Sequence, residues 1–232
     1  MIDYTKSFTQ ERKHYDEGLR AYMLKIYNFM AMGLALTGGV AVATLNFPPL
    51  MKLMAGGLGA VIMFAPLLIA IYFFMAIKNM SVGTAKVVFW VYAGLMGMSL
   101  STLGLVYTGE SIARTFFICA AVFGSMSIYG YTTKKDLTSM GSFLIMGLIG
   151  LIIVSLVNIF LQSPAIHFAT GLIGVAIFMG LTAWDTQKLK AMYYHTGGGE
   201  AGQKMAIMGA FTLYLDFINL FLYLLRFFGD RR

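Results

Sequence analysis

Seven long, mostly apolar stretches, separated by short connections, decide what this chain can become. They run roughly over residues 22–46, 55–77, 83–107, 111–131, 139–161, 165–194 and 204–228. A membrane-spanning helix needs about 20 such residues. Hydrocarbon offers backbone N–H and C=O groups no partners, so a spanning stretch has to satisfy them internally as a helix. Composition agrees: 59% of the residues are hydrophobic and only 12% are charged, about half the charged share of a soluble domain. The reading is an all-α integral membrane protein. It has a polar N-terminal segment, residues 1–21, and one seven-transmembrane-helix domain, residues 22–232.

The connections carry turn chemistry. "NFPPL" has a proline pair, "YTTKKD" is polar and basic, "LQSPA" contains Pro164, and "HTGGGEAGQ" is glycine-rich. The opening "MIDYTKSFTQERKHYDEGLR" lacks the short apolar core and small-residue cleavage site of a signal peptide. A net charge of +7 would suggest a nucleic-acid partner in a soluble protein. Here the cations lie between apolar runs, so they report orientation instead. Of the 17 Lys and Arg residues, five (Lys52, Arg114, Arg226, Arg231, Arg232) fall on one side of the membrane and the other twelve on the side of the N-terminus. This places the N-terminus in the cytoplasm. Short loops and the lack of a eukaryotic sorting signal suggest a bacterial inner membrane. Three of the five minority cations cluster at the C-terminus, so the last segment either crosses despite "RFFGDRR" or enters and returns.

Metal and redox chemistry find little support. Cys119 sits in an apolar run and reads as a small buried hydrophobe. His14, His167 and His195 are scattered, without metal-ligand spacing. The 18 methionines are dispersed as gap fillers rather than clustered as soft-metal ligands. Ala31/Ala35/Gly39 and Ala120/Gly124 have the spacing that lets helices approach closely in lipid. Glu110 and Arg114, at i and i+4, read as a surface ion pair.

Two acids stand apart. Asp185 in "GLTAWDTQKLK" and Asp216 in "LYLDFINLF" lie inside the last two apolar stretches. A bare carboxylate at that depth costs at least ~2.5–3.5 kcal/mol. If the sixth helix ends near Tyr194 and the seventh starts near Lys204, Asp185 is about 13 Å and Asp216 about 18 Å from the turn. In an antiparallel pair they can then meet. Thr182, Thr186, Gln187 and Asn219 are the polar residues expected around them, and Ser99–Thr102 puts hydroxyls in the third span, to line a wet path or to bond to their own backbone. Two carboxylates held together away from water share a proton and titrate as a unit. Protonated, the pair is a hydrogen bond between two helices. Fully ionised, it repels itself and suits a hard cation, with too few oxygens for more than a transient calcium stop. The plainer alternative is helix glue, satisfied by a nearby Ser or Asn.

The run "AWDTQ", followed after a short connection by "LYLDFINLFLYLLRFFG", resembles the transmembrane Bax inhibitor motif (Bax inhibitor-1) family. The resemblance covers the whole chain. It implies a seven-helix bundle with the last helix central, and a hydrogen-bonded pair, Asp185 and Asp216, that senses pH and guards a calcium leak. It also implies restraint of cell death in eukaryotic members. Some members latch the pair with a basic residue of the second helix. Here residues 55–77 contain no Lys or Arg, and Lys78 and Lys86 lie just beyond.

The resulting expectation is a pH-sensitive calcium (cation) leak channel, not an enzyme, with no cofactor beyond transient Ca²⁺. Its partners would be calcium, protons and membrane lipid. The alternative is a non-conducting regulator that binds another membrane protein, a protease or cell-death factor. An intramembrane aspartyl protease is disfavoured because Trp184 and Leu215 precede the acids and no G-x-G-D run is present. A proton-coupled transporter would show inverted repeats, and none is visible.

Overall fold

The computed structural model describes residues 4–196 and 199–232, with side chains from 17 to 194 and from 199 onward. It is helical almost throughout. The order is α1 Tyr4–Asn46, α2 Pro48–Ala55, α3 Gly57–Ala76 with a 3₁₀ turn at Ile77–Asn79, α4 Val82–Leu100, α5 Leu103–Val106, α6 Gly109–Thr132, α7 Thr138–Leu161, α8 Pro164–Thr196 and α9 Gly199–Phe228. Among the described residues, seven helices are long and apolar enough to cross a membrane. Their starts are chemically marked. Pro48 opens α2, where a missing N–H costs nothing. Ser81 caps α4 by accepting from Thr84 N at 3.1 Å, and Thr108 caps α6 by accepting from Ser111 N at 3.3 Å. The polar N-terminal segment continues into the first span as a single helix.

The last helix occupies the centre. Two-thirds (67%) of the apolar window of α9 is buried, against 6% in α7. It packs against α8, α1, α6 and α4. Aromatic side chains fill the space around it: Phe211 stacks on Phe73 with centroids 4.4 Å apart and lies 4.6 Å from Tyr92. One polar knot ties three helices. The Thr37 hydroxyl lies 2.9 Å from the carbonyls of Gly33 and Ala93 and 2.7 Å from the Tyr214 hydroxyl. Thr37 has one proton, which the carbonyls take, so Tyr214 donates to Thr37.

The C-terminus resolves the question of the last crossing. Thr108 N donates to Asp230 O at 3.0 Å, and Arg232 N donates to Val106 O at 2.9 Å. The tail is thus sewn to the connection after the third span, on the face opposite the N-terminus, and α9 crosses completely. Arg114 belongs to this seam. It donates to Phe228 O and to the Asp230 carboxylate, both at 2.9 Å, so the expected pairing with Glu110 is corrected in favour of a residue far along the chain. Both members of the ion pair are at least half exposed. Such pairs contribute about 0–1 kcal/mol, so Asp230→Asn should leave the thermal unfolding midpoint in detergent almost unchanged. A large drop would show that this seam holds the bundle together.

Two further expectations need correction. Glycines that permit close helix approach are not those with regular spacing: a Cβ on Gly39 or Gly124 would meet nothing within 4 Å. Tight contacts fall instead at glycines such as Gly33 against Phe89, Gly97 against the Thr37 carbonyl, Gly130 against Ala183 and Gly141 against Trp184. The glycine-rich connection is also shorter than its composition suggests. Residues 199–203 form the first turns of α9, with Gly202 buried; tertiary packing overrides glycine's poor helix propensity there. Residues 197 and 198 lie outside the described residues.

Candidate functional site: the junction of α8 and α9

Five consecutive residues of α8, Ala183 to Gln187, each meet a different neighbour. Successive residues turn by about 100°, so such a run finds partners on every side only if the helix is enclosed there. The Ala183 carbonyl lies against Gly130 of α6, and the Trp184 ring covers Gly141 of α7. Asp185 faces α9. The Thr186 hydroxyl lies 3.4 Å from the Tyr27 hydroxyl of α1. The Gln187 amide clamps the α6–α7 connection: its Oε1 accepts from Leu137 N at 2.8 Å, and its Nε2 donates to Lys135 O at 2.7 Å.

The register of α8 on α9 places the two acids. Leu189 packs on Gly209, Phe178 stacks on Tyr223 at 5.7 Å, and Phe227 covers Gly171. These contacts define one antiparallel alignment, and in it Asp185 stands opposite Asp216. Both acids thus lie on the buried seam between α8 and α9. Asp185 is 7% exposed and Asp216 5%. Among the described residues, Asp216 Oδ2 has no hydrogen-bond partner. Lys188 stands one helical turn beyond Asp185. Its ammonium lies 4.7 Å from the Trp184 ring centre. Lys78 is exposed, and Lys86 sits 6.0 Å over the Phe29 ring. The basic neighbour of the acids therefore comes from α8 itself.

The surrounding polar residues divide differently from the expectation. Thr182 donates to Phe178 O at 2.7 Å, and Asn219 Nδ2 donates to Leu215 O at 2.8 Å. Both close back on their own helix, as short polar side chains do where water is scarce. Ser101 and Thr102 do the same, to Met98 O and Ser99 O. Gln187 spends both ends of its amide on the connection. Replacing it with alanine leaves a partly buried N–H and a carbonyl unpaired, at a cost of about 1–3 kcal/mol. Gln187→Ala should therefore unfold at a clearly lower temperature in detergent, and an unchanged midpoint would contradict the clamp. Next to it, Asp136 Oδ1 accepts from Thr138 N at 2.9 Å. Hydrogen bonding to Thr138 holds this carboxyl below its ordinary range. Its contribution to stability is thus present at neutral pH and is lost only as pH falls through that lowered value.

Gly130, Gly141, Tyr27 and Lys188 escaped sequence reasoning. A lone glycine or tyrosine in an apolar helix carries no local signal of the partner it will meet. Cys119 is buried, its thiol 3.7 Å from Phe217 O, and among the described residues no group of three or more His, Cys, Asp or Glu residues could hold a metal ion. The side chains of His14 and His195 lie outside the described residues.

The sequence model of the family described as "Inhibitor of apoptosis-promoting Bax1" matches residues 19–232. The chain belongs to the Bax inhibitor-1 family. An uncharacterized protein of Rickettsia prowazekii is 65% identical over 235 residues, covering the whole of both chains. A protein of Caulobacter vibrioides, also uncharacterized, is 47% identical, covering 99% of this chain and 97% of its own. A relative from Escherichia coli named inner membrane protein YbhL is 46% identical, over 93% of this chain and 94% of its own. Membership of this family spans all seven crossings, so the α8–α9 junction lies wholly within the family match.

Proposed function

We propose that this Bax inhibitor-1 family protein is a pH-sensitive calcium leak channel gated by Asp185 and Asp216. The observation that supports the reading is that both carboxyl groups are buried and that the register of α8 on the central α9 sets Asp185 opposite Asp216. An acid inside a membrane protein is retained for a task more often than for glue. Two carboxylates this close cannot both ionise cheaply, so they hold one proton between them. With that proton, α8 and α9 are tied by a hydrogen bond. Without it, the pair repels, and the two carboxylates offer oxygen ligands to a passing divalent cation. Lys188 tempers the negative charge from the side on which the helix leaves the bundle. The charge asymmetry of the connections supports a cytoplasmic N-terminus, and the name of the Escherichia coli relative supports an inner membrane.

The test is calcium entry into proteoliposomes loaded with a calcium dye, measured from pH 5 to pH 8. Wild type should pass calcium at a rate that changes with pH, and Asp216→Asn should lose that change. Flux that is the same in Asp216→Asn and wild type at every pH would sink the gate. No calcium flux at all in wild type would favour a non-conducting regulator of another membrane protein.

A further inference from the structure

A cavity of about 710 Å³ opens at the end of the molecule away from the N-terminus, where α7 hands over to α8 beside the last turn of α9. Arg226, Arg231 and His167 line it. No Asp or Glu does. The acid nearest in sequence, Asp230, is held by Arg114 at 2.9 Å. Two of the cations that ran against the charge asymmetry of the sequence are therefore gathered at one concave site. Both are carried on fixed backbone. Arg226 lies 4.7 Å from the ring centre of Tyr223, which is itself packed on Gly174. Arg231 is pinned by its backbone bridge to Tyr107. Helix α8 begins in the cavity at Pro164, so the positive end of its dipole adds to the field.

The opposite wall has another character. Ile152, Leu156 and Ile159 of α7 line the cavity and are all more than half exposed. They continue along the face that α7 turns to lipid. Planar guanidinium forks match the oxygens of a phosphate, and an apolar wall beside them suits an acyl chain. We propose that this cavity binds the phosphate group of an anionic phospholipid, with an acyl chain lying along α7. A lipid seated there would bridge α7, α8 and α9 at their shared end.

The experiment uses the full-length protein in a neutral detergent and follows thermal unfolding as phosphatidylglycerol, phosphatidylcholine or glycerol 3-phosphate is added. Phosphatidylglycerol should stabilise the protein saturably. Phosphatidylcholine and glycerol 3-phosphate should each need at least about ten times the concentration. The double variant Arg226→Gln/Arg231→Gln should weaken phosphatidylglycerol binding at least about ten-fold. Arg226→Lys keeps the charge but loses the fork, and should fall between. Both arginines are exposed, so the variants should fold, which their lipid-free midpoints will check; if the double variant does not fold, Arg226→Lys alone decides. Lys52→Gln, on the same face but outside the cavity, should bind phosphatidylglycerol like wild type. Equal binding of phosphatidylglycerol by wild type and the double variant (or, where that does not fold, by Arg226→Lys) would overturn the proposal. So would equal binding of phosphatidylcholine, or an equal loss in Lys52→Gln. Glycerol 3-phosphate binding as tightly as the lipid would show a site for a free phosphate ester and overturn the lipid assignment.

Discussion

Gly130→Leu is expected to leave little folded protein in the membrane, while Gly124→Leu, six residues earlier on the same helix, is expected to be tolerated. The difference lies in what each glycine faces. A Cβ on Gly124 would meet open space, whereas one on Gly130 would sit on the Ala183 carbonyl. That obstacle is backbone against backbone, and neither side can rotate away. Overpacking typically costs about 1–3 kcal/mol where side chains can give. Here even alanine should approach ~3 kcal/mol, and leucine should exceed it. The lesion would reach the acids as well, since pushing Ala183 off α6 moves Asp185 two residues on. Recovery of monodisperse protein in mild detergent, with its unfolding midpoint, measures both variants. Wild-type stability in Gly130→Leu would show that α6 and α8 do not touch there.

The second large effect is on transport. Asp185→Asn and Asp216→Asn should each abolish the pH dependence of calcium flux, and the double variant should behave like either single. Asparagine keeps the shape and a hydrogen bond but cannot titrate. Groups that act as one unit are non-additive when removed in turn. The expected size follows from linkage: if the pair's proton affinity differs by one pH unit between closed and open arrangements, their ratio shifts about ten-fold. Wild-type flux should change by about that factor across the titration, and the three variants should stay nearly flat. Additive losses in the double variant would mean two independent acids.

Much of the architecture was legible before any coordinates, because lipid is a demanding solvent. It forces long apolar runs, so the seven spans and their polar connections stand out, and it makes Asp185 and Asp216 anomalous. What stayed hidden depends on contacts between distant segments. The stretch from His195 to Gln203 looks like a loop by composition, yet Gly202 is buried in the first turns of α9. Arg114 has a local partner in Glu110 on paper, yet it reaches Asp230 once the tail folds back. Gly130 and Gly124 are indistinguishable in sequence, and only the position of α8 separates them. Gln187 is expected beside the acids, but its amide is the clip that fixes the α6–α7 connection. Periodicity and cost of burial can be read along a chain; which face meets which neighbour cannot.

The proton sharing proposed for Asp185 and Asp216 can be tested directly. Protein labelled with ¹³C at the aspartate carboxyl carbon and reconstituted in lipid should give resolved signals for Asp185 and Asp216 as pH is varied. If the two hold one proton between them, both signals will move together through common steps, and replacing either residue with asparagine will collapse the other's curve to a single different one. If each instead follows its own simple curve, like an isolated aspartic acid and indifferent to loss of its neighbour, the two are not coupled and the gate built on them does not exist.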